Sequence, residues 1–537
     1  MSSIDASSGK EQPAGTTDKA GGPGAPSKGS GLAMLAVIIA VFMAILDTSI
    51  VNVALPKMMS VFGVNQSDIE WVVTAYSLVS GALIPVTGFL GDRFGYKRVF
   101  LIATAIFTIG SGLCGVAWSN NSMIFFRIIQ AVGGGALMPI SMAMIFRMFP
   151  PEKRGMAMGL FGIAIMFAPA TGPTLSGYIV EYLDWRLIFT INVPIGIIDF
   201  FLAMAVLKEF KAPVSQRFDF WGFVTSCTGL ATLLYGVGKV SEKGWGDSEV
   251  ITFVTIGIVC LIIFVAIELL IDQPMLDLSL LKNATFTLSL IISSIATLIM
   301  MGVLFLLPIF LQTLSGLSAV QTGLILLPQA IVSGIMMPIA GALFDKIGAR
   351  VIAVIGLSFT ALSLYLSAAL DLNTMFSTLI TWLVLRAIGM GLMMMPIQTA
   401  GMNTVPMHKM GQGTALSNTI RQISASFGIA WLALLYSDRR SFHVADLSEQ
   451  LNMFSTNVAS HFNQLQNQYM GMGQSAIQAK ANALGYLSGQ VQIQATVMGL
   501  DDVFIVTAVL SVIAAVLSLF LKNTKAKGGP KAHVMGE

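Results

Sequence analysis

Charge is scarce in this chain. Only 11% of its 537 residues are Asp, Glu, Lys or Arg and 55% are hydrophobic, whereas a soluble domain carries roughly 25% charged residues. So little charge cannot solvate a globular surface, which excludes an ordinary water-soluble domain. Cysteine is also rare: Cys114, Cys227 and Cys260 all stand in apolar runs. Their spacing excludes a metal cluster and makes them poor disulfide partners, so they are expected to pack as small apolar residues. The four histidines, His408, His443, His461 and His533, fall in polar connections or the tail, which argues against a histidine proton relay inside a membrane. There is no glycine-rich phosphate loop leading into Lys and Ser or Thr, no Ser-His-Asp set and no His/Cys cluster. No enzyme chemistry, cofactor or metal is therefore expected, and without a nucleotide engine any uphill work must draw on an ion gradient. The net charge of +3 is small, and nucleic acid is not an expected partner.

What the chain does have is apolar length. Its mean hydropathy is +0.79, and runs long enough to cross a bilayer recur almost throughout. Spans are predicted at 32–55, 71–90, 98–118, 122–147, 156–180, 187–207, 219–238, 250–271, 285–314, 319–344, 350–370, 374–404, 411–436 and 502–521. That is an all-α polytopic membrane protein of fourteen helices, with both termini on one side. Residues 1–31, rich in Gly, Ala, Ser, Pro and Lys, read as a disordered tail without a cleavable signal, and 522–537 as a second tail. With the N-terminus inside, about twenty Lys and Arg fall in inside connections and seven in outside ones, so both termini are expected in the cytoplasm.

Two internal echoes divide the chain. Gly88-Phe-Leu-Gly-Asp92-Arg93-Phe-Gly95-Tyr-Lys97-Arg98 returns 253 positions later as Gly341-Ala-Leu-Phe-Asp345-Lys346-Ile-Gly348-Ala-Arg350. Arg127-Ile-Ile-Gln130-Ala-Val-Gly-Gly134 through Pro139 returns 259 positions later as Arg386-Ala-Ile-Gly389-Met-Gly391 through Pro396. The near-equal offsets give two six-helix bundles, 32–207 and 284–521, with two extra helices and their linkers in 208–283. Duplicated halves moving against each other are a transporter's architecture. The connection 437–501 is far longer than the others. Leu447, Leu451, Phe454, Val458 and Phe462 keep helical spacing, as do Ile477, Ala481, Leu484, Leu487 and Val491. Two amphipathic helices are predicted there. They lie on the headgroups, pack on the protein's own rim, or form a docking surface for a periplasmic or extracellular adaptor.

Ionisable residues inside a membrane are expensive and are functional candidates by default. They are Asp47, Arg127, Asp199, Arg386 and Arg421, while Glu268 and Asp272 are read as interfacial. Asp47 lies about 13 Å and Arg127 about 9 Å below the outer ends of their helices, so the two can pair. Such a pair either couples protons or statically fixes helix packing. Asp199, mid-helix, is a protonated silent group, a group capped by a hydroxyl, or a proton or cation site. The Asp92–Arg93 turn is expected to act as a latch, with an Asp at a helix start facing another helix dipole. Small residues and prolines crowd Ala168-Pro169-Ala-Thr-Gly172-Pro173-Thr-Leu-Ser176-Gly177, allowing close helix contact and a weakened backbone ladder. Methionines such as Met394 are filler or the lining of a cavity for varied apolar ligands.

Taken in order, these segments resemble the major facilitator superfamily, and within it the fourteen-helix drug:proton antiporters of the EmrB/QacA type. Leu46-Asp47-Thr48 through Asn52 to Pro56 is similar to that family's first-helix motif, and Gly88 to Arg98 to its loop between helices two and three. Arg127, Gln130 and Gly134 resemble its fourth-helix motif, Gly172-Pro173 through Gly177 its fifth-helix antiporter motif, and Trp185-Arg186 through Asn192 to Gly196 its entry into helix six. The Ala168-Pro169 before Gly172 departs from the pattern and leaves the hinge position open.

The resemblance implies a major facilitator fold and proton-driven export of hydrophobic, often cationic, amphiphiles across a bacterial-type plasma membrane. Proton coupling is expected at Asp47 and Arg127, which stand in those motifs, with the lone mid-helix Asp199 as a further proton or cation site. The cytoplasmic gate is Gly88, Asp92, Arg93, Gly95, Arg98, Asp345 and Lys346, and the hinge is Pro169, Gly172, Pro173 and Gly177. Asn52, Gln130, Arg386, Met394 and Arg421 are expected in the substrate cavity. The competing expectations are a dedicated exporter of one endogenous lipid, siderophore or metabolite, and a non-transporting sensor or scaffold.

Overall fold

The computed structural model describes residues 30–210, 218–271, 273–372, 374–450 and 456–522. The expected tails lie almost wholly outside these residues, as do Asp272, Leu451 and Phe454. In a bilayer core no water can satisfy backbone groups, so helices are the economical solution for an apolar chain. The helices are α1 (Ser30–Phe62), α2 (Gln66–Ile69), α3 (Trp71–Phe94), α4 (Tyr96–Gly115), α5 (Asn120–Met148), α6 (Arg154–Tyr182), α7 (Leu187–Thr190), α8 (Asn192–Val206), α9 (Phe220–Lys243) and α10 (Ser248–Leu270). The second part holds α11 (Ala284–Ile309), α12 (Ala319–Ile347), α13 (Ala349–Ser367), α14 (Phe376–Met402), α15 (Met410–Gln450), α16 (Thr456–Gly471) and α17 (Ala476–Ser518).

Local chemistry sets their ends. Ser119 with Ser122, Ser318 with Gln321, and Ser475 with Gln478 form reciprocal capping boxes that open α5, α12 and α17. The two copies of the charged turn end α3 and α12 at Gly95 and Gly348, with φ of 96° and 84°. A residue with a Cβ rarely adopts that conformation, so glycine recurs at the same place in each copy.

Helices α1, α3, α4, α5, α6 and α8 pack into one bundle, and α11, α12, α13, α14, α15 and α17 into another. The hairpin of α9 and α10 leans on the seam, with α9 against α3 and α15. Its α10 exposes Ile258, Ile262, Leu269 and other apolar side chains, a surface suited to lipid. The bundles meet through α6–α12 and α3–α15, with α5 also against α15.

Thirteen helices among the described residues are long and apolar enough to cross a membrane. The fourteenth predicted span, 411–436, forms the inner part of α15. Gln412, Asn418, Thr419, Arg421 and Gln422 make it more polar than the others.

The long connection differs from the prediction. Instead of two separate helices between spans, α15 runs on for 41 residues and α17 for 43, each about 60 Å long. Neither contains a proline, and nothing in their sequences stops them at the bilayer surface. Only α16 is a separate helix, packed on α17, with Phe462 buried. Of the predicted stripe, Ile477, Ala481 and Leu484 are exposed, Leu487 is half-buried and only Val491 is buried, while α17 also buries Ala479 and Ala483. Arg439 Nε reaches Asp502 at 2.6 Å, and His443 Nε2 lies 2.7 Å from the same oxygen. Thus His443 is buried, although sequence placed it in a polar connection.

Candidate functional site

The apolar helix α1 carries one acid, Asp47, and α5 and α8 bring the groups that hold it. Arg127 Nη1 donates to Asp47 Oδ2 at 2.5 Å and to Gln130 Oε1 at 2.7 Å. Gln130 Nε2 and Asn192 Nδ2 both donate to Asp47 Oδ1, at 2.9 and 3.1 Å. Arg127 Nε also donates to the Val72 carbonyl at 3.2 Å, and its guanidinium lies 4.2 Å from the Tyr76 ring centroid. Asp47, Arg127 and Gln130 are 0% exposed. Glycines permit this closeness: a Cβ at Gly110 would stand 2.6 Å from the Gln130 Cα.

A carboxylate that takes three donors is firmly held, yet its charge is the counter-charge of a wholly desolvated guanidinium. Protonating Asp47 would leave Arg127 buried and unbalanced, so one proton event and one packing event are tied together. The pairing of Asp47 with Arg127 matches their expected depths. Gln130, expected in the cavity, is instead part of the pair's shell. Asn192, Tyr76 and the Val72 carbonyl were not foreseen. Asn192 stands in the segment entering helix six, where the sequence shows only an amide in an apolar run and not the side it faces.

Asp199 is two turns beyond Asn192 on α8, about 10 Å along the axis. It is 0% exposed, and neither carboxyl oxygen has a hydrogen-bond partner. The structure does not bring it to the Asp47 network. Glu268, expected at the interface, is buried near the end of α10 and accepts the Leu276 amide at 3.2 Å.

The repeated turns lie together at one end of the molecule. Asp92 lies in the last turn of α3, not at a helix start as expected. It accepts Arg147 Nη2 at 3.0 Å and the Tyr96 hydroxyl at 2.9 Å. Its other oxygen sits beside the first turn of α15, where a Cβ on Gly411 would lie 3.2 Å away. A Cβ on Gly88 would stand 2.7 Å from the Gly411 carbonyl oxygen, so glycine lets α3 meet α15. In the other copy, Asp345 accepts the Gly155 and Met156 amides at the start of α6, both at 3.2 Å. Asp345 thus binds a helix start of the other bundle, whereas Asp92 is held within its own and only places its second oxygen, which has no hydrogen-bond partner, beside the start of α15. Arg93 lies over the Phe89 and Phe94 rings, Arg98 reaches Glu209 at 4.0 Å while mostly exposed, and Lys346 is exposed. Glu209, unnoticed in the sequence, accepts the amides of Lys97 and Arg98 and so caps α4.

Helix α6 runs unbroken through Pro169 and Pro173. Lacking an N–H, Pro173 leaves the Pro169 carbonyl without its helical donor. Ser49 Oγ of α1 takes that place at 3.0 Å, and Ser176 Oγ donates to the Ile50 carbonyl at 2.6 Å. Gly172 lets Ser49 approach, and Gly177 faces Val320 of α12. Hence α6 is stitched to α1 on one side and seated on the opposite bundle on the other. Asn52 is exposed on α1 and donates to the Thr48 carbonyl. Met394 and Arg421 line a narrow cavity between α11, α14 and α15 with Ser293, Thr297 and Gln398. Arg386 does not line it but donates to Gln329 Oε1 at 2.6 Å.

Two like helical bundles closed around buried charges, with glycine-lined seams between them, have the architecture of a membrane transport protein. The chain belongs to the Major Facilitator Superfamily, whose model matches residues 37–429. It is 41% identical to the uncharacterized MFS-type transporter YhcA of Bacillus subtilis over 92% of this chain and 93% of that one. It is 32% identical to the multidrug export protein EmrB of Haemophilus influenzae over 90% and 94% of the two chains. Kinship with the EmrB/QacA type rests on this likeness. Among solved structures, the proton:xylose symporter XylE matches with a TM-score of 0.58 over 92% of this chain and 96% of that one. At 15% identity that likeness is one of fold.

Proposed function

We propose that this transporter is a proton-coupled antiporter that exports hydrophobic and amphiphilic compounds by alternating access. It would work in a bacterial-type plasma membrane with both termini in the cytoplasm. The observation that carries this reading is the desolvated Asp47–Arg127 pair with Gln130 and Asn192 around the carboxylate. Proton arrival at Asp47 releases Arg127, and the movement of α5 against α1 passes to the seam. Asp199, buried without a partner, serves as a second proton or cation site. Asp92 beside α15 and the bonds of Asp345 to α6 are the cytoplasmic latch. The prolines of α6, with the Ser49 bond, are the hinge. Substrate binds between the halves, with Met394 and Arg421, which line the narrow cavity, and with Asn52 and Arg386, which do not, reached as the bundles part. The projecting ends of α15 and α17, with α16, offer a face to an extracytoplasmic adaptor.

The reading is tested in everted vesicles energised by respiration. Uptake of an amphiphilic dye should rise with the proton gradient and stop when nigericin collapses it; gradient-independent uptake contradicts the proposal. A panel of dyes and biocides in a pump-deficient bacterium separates broad export from a dedicated exporter of one lipid, siderophore or metabolite. Resistance to one compound alone would favour the latter.

A further inference from the structure

The interface between α4 and α8 holds an unusual share of unsatisfied polar atoms. Asn192 Oδ1, Thr104 Oγ1 and both carboxyl oxygens of Asp199 are buried without a hydrogen-bond partner among the described residues. Thr104 and Asp199 are 0% exposed. Buried polar atoms are rarely left unpaired, and ordered water is the partner that remains when the protein offers none. Contacts along the antiparallel pair fix its register. Asn192 Nδ2 donates to Ser111 Oγ at 3.1 Å, a Cβ on Gly196 would overlap Thr108 Oγ1, and Lys97 Nζ donates to the Met204 carbonyl at 2.6 Å. Going inward, numbers on α4 fall by one turn as those on α8 rise by one, so Thr104 and Asp199 are the next pair after Thr108 and Gly196. Helix α8 packs chiefly on α4 and α1, and α1 has no polar side chain between Gly31 and Leu46. Thr104 is the polar neighbour these two helices offer to Asp199.

No direct contact joins Asp199 to the Asp47 network, yet the same interface reaches both. At its outer end one nitrogen, Asn192 Nδ2, donates to Ser111 Oγ and to Asp47 Oδ1, each at 3.1 Å. Those two oxygens lie no more than about 6 Å apart, within the span of one bridging water. Ser111, Thr108 and Thr104 then follow at one-turn spacing on one face of α4, with about 5–6 Å between neighbouring Cβ atoms. Gly196 notches α8 at the middle of this column, because any side chain there would take the space of the Thr108 hydroxyl.

We infer that the α4–α8 interface is a water-bridged proton path that joins Asp47 to Asp199 and carries the coupling proton inward, apart from the substrate cavity. This rests on the antiport reading above and adds the route by which the proton leaves. Protonated Asp47 gives its proton to the water beside Ser111. Each hydroxyl and water then accepts a proton on one side and releases its own on the other, and the Asp199 carboxylate takes the last. Asp47 regains its charge and its hold on Arg127, while Asp199 becomes neutral. Asp199 stands about 10 Å from the inner end of α8 at Val206, from where it returns the proton to the cytoplasmic side. The narrow cavity lies between α11, α14 and α15 of the other bundle, so cargo held there does not obstruct the path.

The test uses the full chain in phosphatidylcholine vesicles with a pH-sensitive dye inside and ethidium as the cargo. Infrared difference spectra between acid and alkaline buffer are taken on the same samples. A protonated-carboxyl band that vanishes in Asp199→Asn belongs to Asp199. Thr104→Val keeps the shape and removes the hydroxyl. It should displace that band and slow ethidium-driven proton movement at least about tenfold, with ethidium binding within about twofold of wild type. Thr104→Ser returns the hydroxyl and should restore both the band and the rate. Should Asp199→Asn fail to fold, the contrast between the two Thr104 variants still decides. A band or a proton rate untouched by Thr104→Val, or Thr104→Ser as slow as Thr104→Val, overturns the inference. Wild type without ethidium-driven proton movement, whose band still answers to the Thr104 variants, would contradict the antiport reading and leave the Thr104–Asp199 link standing.

Discussion

At the scale of single residues, the decisive group is a carboxylate with no water around it. Asp47→Asn preserves shape and removes charge, leaving Arg127 buried without a counter-ion at about 3–5 kcal/mol. Expression in the membrane should fall and coupled export should be lost, read by immunoblot and by gradient-driven dye uptake. Arg127→Lys keeps the charge but cannot serve Asp47, Gln130 and the Val72 carbonyl together; export should fall strongly with expression largely retained. Gly95→Ala forces a Cβ residue to φ of 96° and into Glu209, costing about 1–3 kcal/mol, seen as a lower unfolding temperature in detergent. Charge and depth made the Asp47–Arg127 pair legible, because an isolated acid and an isolated base at similar depth have few other partners. Asn192 and Tyr76 were not legible: which polar side chain turns toward the pair depends on how α8 and α3 are rotated in the bundle.

At the scale of elements, α6 shows a repair that sequence reading could not supply. Prolines at 169 and 173 announced a weakened ladder, but the hydroxyl that replaces the missing donor comes from another helix, 120 residues earlier. Pro173→Ala restores an N–H for the Pro169 carbonyl and displaces Ser49. The helix should stiffen, lowering the export rate while substrate binding stays close to wild type. Equal losses of both would argue against the hinge. The predicted boundaries were least successful beyond residue 436, where apolar counting stopped at the bilayer and the helices did not. Backbone hydrogen bonding continues wherever no breaker intervenes, so α15 and α17 extend past their apolar segments and pair through Arg440, Gln492 and Thr496.

At the scale of the whole molecule, the sequence repeat revealed two bundles and an inserted hairpin, because equal offsets survive even where side chains have changed. It did not reveal that Asp345 bonds to the start of α6 in the other bundle while Asp92 stays with Arg147 and Tyr96 of its own, its second oxygen beside the start of α15. Removing both, Asp92→Asn with Asp345→Asn, should weaken the latch. Spin labels at the exposed positions 94 and 407 should then separate, measured by pulsed dipolar spectroscopy in a background without native cysteines. An unchanged distance distribution would show that apolar packing alone holds this end shut. The central claim, that buried carboxylates link proton movement to substrate movement, is tested most directly by substrate-induced proton release from the purified protein in reconstituted vesicles. Wild type should release protons on adding substrate, and Asp47→Asn and Asp199→Asn should each reduce that release severely. Normal proton exchange in both variants would contradict the account.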